Sequence, residues 1–214
     1  MSMAKISVSI LIKSDDETII KLNNTTADYL HIDVMDGIFV SNSSFPMERI
    51  KEISNISTKP LDIHLMVEDP SLYIDELSRL NVAYITVHFE SLNGNYEVLD
   101  IIKENHIKCG LSIKPQTKVE SIFPILNKID LVLIMSVEPG LGGQEFILDS
   151  LDKVKLLKNE IVRVSSDAII SIDGGINDSN SKLCLDAGCG MLVSGSYITS
   201  FEHLQDGLDM LSVN

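Results

Sequence analysis

Eight short runs rich in Val, Ile, Leu and Tyr recur along the chain, with amphipathic segments of helical period between them. The runs lie near Ile6 to Leu11, Tyr29 to Val34, Leu61 to Met66, Tyr84 to His88, Cys109 to Ile113, Leu131 to Met135, Ile169 to Ile172 and Met191 to Ser194. Between them fall helical stretches such as Asp15 to Leu22, Pro70 to Leu80, Tyr96 to Asn105, Leu148 to Leu157, Ser179 to Asp186 and Phe201 to Leu211. Successive βα units produce this alternation, because a strand covered on both sides is a short apolar run and its crossover helix carries a 3.6-residue period. Eight units in 214 residues leave roughly 27 residues each, near the lower limit for a closed (β/α)8 barrel. An open doubly wound sheet would give the same alternation. The count of eight, and the lack of Gly-x-Gly-x-x-Gly after the first run, favour closure. The expected fold is α/β, a single (β/α)8 TIM barrel over residues 1–214.

Charge narrows the partners. The chain has 17 basic and 31 acidic residues, a net charge of −14, so it offers no general attraction to nucleic acid or an anionic membrane. The three cysteines, Cys109, Cys184 and Cys189, have no CxxC spacing, which argues against a disulfide framework and suggests a reducing compartment. The apolar run Ile6 to Ile12 is closed by Lys13, Asp15 and Asp16 without a small-residue cleavage site, and no run approaches membrane-span length. A soluble, cytoplasmic protein is expected.

Chemistry gathers at strand ends. Along Tyr29-Leu-His31-Ile-Asp33-Val-Met35, alternation puts His31, Asp33 and Met35 on one face and Leu30, Ile32 and Val34 on the other. The third run puts His64 and Met66 on one face, and the seventh ends at Asp173. A lone strand histidine is usually a hydrogen-bonded core residue, and an Asp before Gly is usually a turn. Three strand ends each burying a polar group without a partner would be costly, however, and two imidazoles with two carboxylates make a ligand set for a divalent ion. Carboxylates from nearly opposite strands could also flank a substrate on both faces. Glycine-rich turns follow runs six to eight: Gly140-Leu141-Gly142-Gly143, Gly174-Gly175 and Gly195-Ser196. Their exposed backbone N–H groups, with a short helix N-terminus, suit a phosphate, and the first segment also reads as a lid. Met35, Met66 and Met135 read as packing or as a soft wall against a substrate. His88 reads as a core residue or a group behind the ligands and is left outside the set; His106 and His203 are expected at the surface.

Six ordered motifs resemble the ribulose-phosphate 3-epimerase family: Ser7-Val-Ser9-Ile-Leu11, His31-Ile-Asp33-Val-Met-Asp-Gly37, Asp62-Ile-His64-Leu-Met66, Met135-Ser-Val-Glu-Pro-Gly-Leu-Gly-Gly-Gln144, Ile172-Asp173-Gly-Gly175 and Val193-Ser-Gly195-Ser196. The resemblance implies a TIM barrel of the ribulose-phosphate-binding type and an isomerase of the pentose phosphate pathway. It would interconvert D-ribulose 5-phosphate and D-xylulose 5-phosphate through a 2,3-enediolate. One divalent metal ion per chain, zinc first, with iron, manganese or cobalt as alternatives, would sit on His31, Asp33, His64 and Asp173. Asp33 and Asp173 would form the acid/base pair, with Ser9 and His64 touching the substrate. The same turns would hold the phosphate, and the three methionines would line the reacting carbons. A homo-oligomer, dimer or hexamer, is also implied. The chain departs from the family at Val8, at Ile38 and over Val40 to Pro46. Two other functions are weighed: a hexulose-6-phosphate (allulose-6-phosphate) 3-epimerase, against which Gly142-Gly143 and Gly174-Gly175 argue, and a non-catalytic sugar-phosphate-binding relative.

Overall fold

All eight apolar runs form strands in the computed structural model, which describes residues 4–212. The barrel strands are β1 (Lys5–Ser9), β2 (Tyr29–Asp36), β3 (Leu61–Met66), β4 (Val82–His88), β5 (Lys108–Ile113), β6 (Leu131–Met135), β7 (Ile169–Asp173) and β8 (Met191–Ser194). Each is parallel to the next, and β8 and β2 both pair with β1, so the sheet closes on itself. The helices are α1 (Asp16–Asn23), α2 (Met47–Ile56), α3 (Ser71–Leu77), α4 (Glu97–Glu104), α5 (Ser150–Val164), α6 (Ser181–Ala187), α7 (Ser196–Thr199) and α8 (Leu204–Ser212). This is a (β/α)8 TIM barrel.

Two connections go beyond the helical stretches expected. The second is α2, and the fifth is a 3₁₀ run, Val119–Lys128, containing Pro124, which lacks the N–H an α-helical ladder needs. At α1 the Asp15 carboxylate caps the first turn, accepting the Thr18 N–H at 2.9 Å. Among the described residues no helix is long and apolar enough to cross a membrane.

Side-chain alternation sorts the core into layers. Leu30, Ile32 and Val34 face outward into the main core, which they share with helix residues such as Ile19, Ile53 and Leu77. Tyr29, Tyr84, Leu131, Leu133, Met191 and Val193 belong to a second apolar cluster that fills the lower barrel. Above it, toward the strand C-termini, the buried residues turn polar: His31, Asp33, His64 and His88. An apolar floor beneath and a helix ring outside turn this polar layer toward the mouth.

Candidate active site at the barrel mouth

Pairing register brings the four expected ligands together. His31 lies opposite Asp62 and Asp33 opposite His64 across β2 and β3, while Asp173 arrives from β7 on the far side. His31 Nε2 and His64 Nδ1 stand 3.3 and 3.1 Å from Asp33 Oδ1, and 3.8 and 4.0 Å from Asp173 Oδ2. One donor atom from each residue lies within 4.8 Å of the other three. A tetrahedral ion with bonds of ~2.1 Å has ligand edges of about 3.4 Å, so these donors fit a divalent cation. His31, Asp33 and His64 are buried and Asp173 is partly open to the mouth.

The two carboxylates differ in proton affinity. Burial alone would push Asp33 up, but His31 and His64, close on one side, outweigh it and hold the carboxyl far below its ordinary range. Asp173 is raised to about 6, first by burial and then by the Asp33 charge. Burial would lower His31, yet Asp33 and Asp62 raise it well above the ordinary imidazole value.

The mouth cavity collects the remaining expected residues. Its lining includes Ser9, Asp33, Met35, Met66, Met135 and Asp173, together with Gly140 to Gly143, Gly174, Gly175, Gly195 and Ser196. Ser9 Oγ donates to Asp33 Oδ2 at 2.9 Å. Gly174 has φ +121°, and a Cβ there would sit 2.5 Å from Val137 Cγ2; at Gly195 a Cβ would meet the Ser9 carbonyl at 2.8 Å. Both positions therefore require glycine. The segment that departs from the family folds back as a two-residue strand, Ser43–Ser44, antiparallel to β2. From that segment Asn42 Nδ2 donates to the Gly140 carbonyl at 2.8 Å, tying the β2 loop to the β6 loop over the mouth.

The model of the ribulose-phosphate 3 epimerase family matches residues 4–199. The chain belongs to the ribulose-phosphate 3-epimerase family. The ribulose-phosphate 3-epimerase of Helicobacter pylori is 40% identical over 174 residues, 81% of this chain and 80% of that protein. The enzyme of that name from Bacillus subtilis is 37% identical over 173 residues, 80% of each chain. That from Methanocaldococcus jannaschii is 36% identical over 201 residues, 92% of this chain and 84% of its own. Among solved structures, a mutant tryptophan synthase alpha-subunit from Pyrococcus furiosus superposes with a TM-score of 0.73 at 16% identity, covering 99% of both chains. That likeness is one of fold.

In this member of the ribulose-phosphate 3-epimerase family, three buried or half-buried polar residues stand behind the ligands. Asp62 Oδ2 accepts from His31 Nδ1 at 2.8 Å and from Ser7 Oγ at 2.7 Å. His88 Nε2 lies 2.9 Å from His64 Nε2, and His88 Nδ1 lies 3.1 Å from Glu90 Oε2. Asp62 was within reach of alternation, since it shares a face with His64 two residues on, but its partner across β2 depends on register. His106 and His203 are exposed, and all three cysteines are buried and unpaired.

Proposed function

We propose that the protein is a metal-dependent ribulose-phosphate 3-epimerase, interconverting D-ribulose 5-phosphate and D-xylulose 5-phosphate by two-base proton transfer. The carrying observation is the pair Asp33 and Asp173, which meet from two sides of one buried cluster with opposite proton preferences. Inversion at C3 needs one carboxylate to take the proton from one face and a protonated carboxyl to return one to the other. Asp33, held ionised by the two imidazoles and oriented by Ser9 Oγ, suits the first role; Asp173, whose carboxyl is pushed up by burial and by the Asp33 charge, suits the second. For the reverse direction the roles exchange.

His31, Asp33, His64 and Asp173 would hold the ion, zinc first, with iron, manganese or cobalt as alternatives. Bound there, a divalent ion supplies Lewis-acid polarisation of the C2 carbonyl and so acidifies the C3 proton. Met35, Met66 and Met135 would wall the reacting carbons from water. The turns at Gly140 to Gly143, Gly174-Gly175 and Gly195-Ser196 would take the phosphate through backbone N–H groups. A cytoplasmic location and a homo-oligomer belong to the same reading, supported by three unpaired thiols and by exposed Ile38 and Leu72.

Substrate-dependent exchange of the C3 proton with deuterated solvent tests this. The metal-loaded wild type exchanges it, and Asp33→Asn and Asp173→Asn each lose the overall inversion by a factor of at least about 10². No exchange with ribulose 5-phosphate in the folded, metal-loaded protein sinks the proposal, and inversion that survives both substitutions sinks the assignment of the two bases.

A further inference from the structure

His64 presents Nδ1 to the ligand cluster, 3.1 Å from Asp33 Oδ1, and once that nitrogen ligates an ion the proton of its neutral ring must reside on Nε2. That Nε2 lies 2.9 Å from His88 Nε2, a separation with room for one proton between two ring nitrogens. The direction of this bond is settled at its far end. Glu90 Oε1 accepts the backbone N–H of Lys114 at 2.8 Å and also accepts from Thr117 Oγ1, while Glu90 Oε2 faces His88 Nδ1 at 3.1 Å. A backbone N–H only donates, and a carboxylate only accepts. Glu90 therefore draws the His88 proton to Nδ1, His88 Nε2 is left bare, and it accepts from His64 Nε2–H. The opposite polarity would put a proton on His64 Nδ1, pointing into the cluster, and remove a ligand.

We infer that Glu90 and His88 are positioning residues that fix the tautomer of His64 and so hold its Nδ1 lone pair open for the metal. The inference rests on the metal reading given above. His64 and His88 are fully buried, and the Phe39 ring packs on His88 with centroids 4.8 Å apart, so water has no place in the chain of bonds. The anchor is equally fixed, because Lys153 Nζ donates to the carbonyls of Lys114, Pro115 and Thr117. A ligand histidine whose other nitrogen is committed to such an outer partner binds metal more tightly, and loss of the partner costs about 10–100-fold in affinity.

Glu90→Gln is the informative variant. Its amide oxygen must take the Lys114 and Thr117 donors, which turns the NH₂ toward His88 Nδ1 and reverses every bond back to His64. Two-bond ¹H–¹⁵N correlations of the imidazoles in the zinc-loaded wild type should report His64 as Nε2–H and His88 as Nδ1–H. Competition with a chromophoric chelator should show zinc bound about 10–100-fold more weakly by the variant, and also by His88→Phe, which removes the acceptor but keeps a ring against Phe39. A zinc-loaded wild type that carries Nδ1–H on His64, or Nε2–H on His88, overturns the inference without reference to any variant. Unchanged zinc affinity in Glu90→Gln overturns it as well. A wild type that binds no divalent ion fails the metal reading and takes this inference with it.

Discussion

Asp33 and Asp173 sit in one cluster yet hold protons differently, and the cause is their neighbours. Asp33 has both imidazoles close at 3.3 and 3.1 Å, whereas Asp173 lies farther from the same nitrogens at 3.8 and 4.0 Å and feels burial and the Asp33 charge more. Its folded pKa, about 6, lies above the ordinary carboxyl value of 3.8. Between those values the folded state binds the extra proton, so this group's contribution to stability is present below about pH 4 and is lost as pH rises through 6. Urea midpoints of the metal-free protein should therefore fall, relative to those of Asp173→Asn, as pH is raised from about 4 to about 7. Parallel curves for the two proteins across that window would show that Asp173 is not raised.

The turns proposed to hold the phosphate are shaped by close backbone approach more than by side-chain chemistry. At the end of β7 the Gly174 backbone lies so near Val137, just beyond β6, that a Cβ would stand 2.5 and 2.7 Å from the Val137 methyls and 2.9 Å from its backbone nitrogen. Gly174→Ala should cost about 2 kcal/mol or more of stability, from left-handed strain and overpacking together. Displacement of the turn should also raise KM for the sugar phosphate more than it lowers kcat. Val137→Ala in the same chain would recover only part of the loss, since the backbone contact remains; full recovery would mean that Val137 alone excludes the methyl.

What could be read before any coordinates follows the same division between local and distant. The eight strands are local, each a run long enough to see, and alternation placed His31, Asp33 and His64 on the inner face. The Gly-rich turns are local too. α2 escaped because its apolar positions follow a segment, Val40 to Pro46, whose Ser and Pro content suggests continuous loop. The Val119–Lys128 run escaped because Pro124 interrupts a helical pattern. The contacts of Asp62 with His31 and of His88 with His64 depend on how neighbouring strands are staggered, which no single run encodes.

At the scale of the whole molecule, a net charge of −14 would repel a phosphorylated sugar, and the mouth does not reverse that sign with side chains. The charged residues among those lining the cavity are Asp33, Glu138 and Asp173, all acidic. The nearby lysines are committed elsewhere: Lys13 donates to the Thr199 carbonyl at 2.9 Å, Lys153 to three carbonyls, and Lys114 lies over the Phe39 ring at 3.8 Å. On the proposed function, capture would fall to backbone N–H groups and the ion, which act only at short range, while the surface field acts at long range with the opposite sign. Raising the ionic strength from about 10 to about 150 mM shortens the screening length from about 30 to about 8 Å. That should weaken the repulsion and leave the contacts inside the barrel intact. For this protein kcat/KM should consequently rise, by up to about twofold, over that range of inert salt. A steep fall instead, of the kind expected where lysine or arginine steers an anionic substrate, would mean that a cationic group outside the cavity lining takes part in capture.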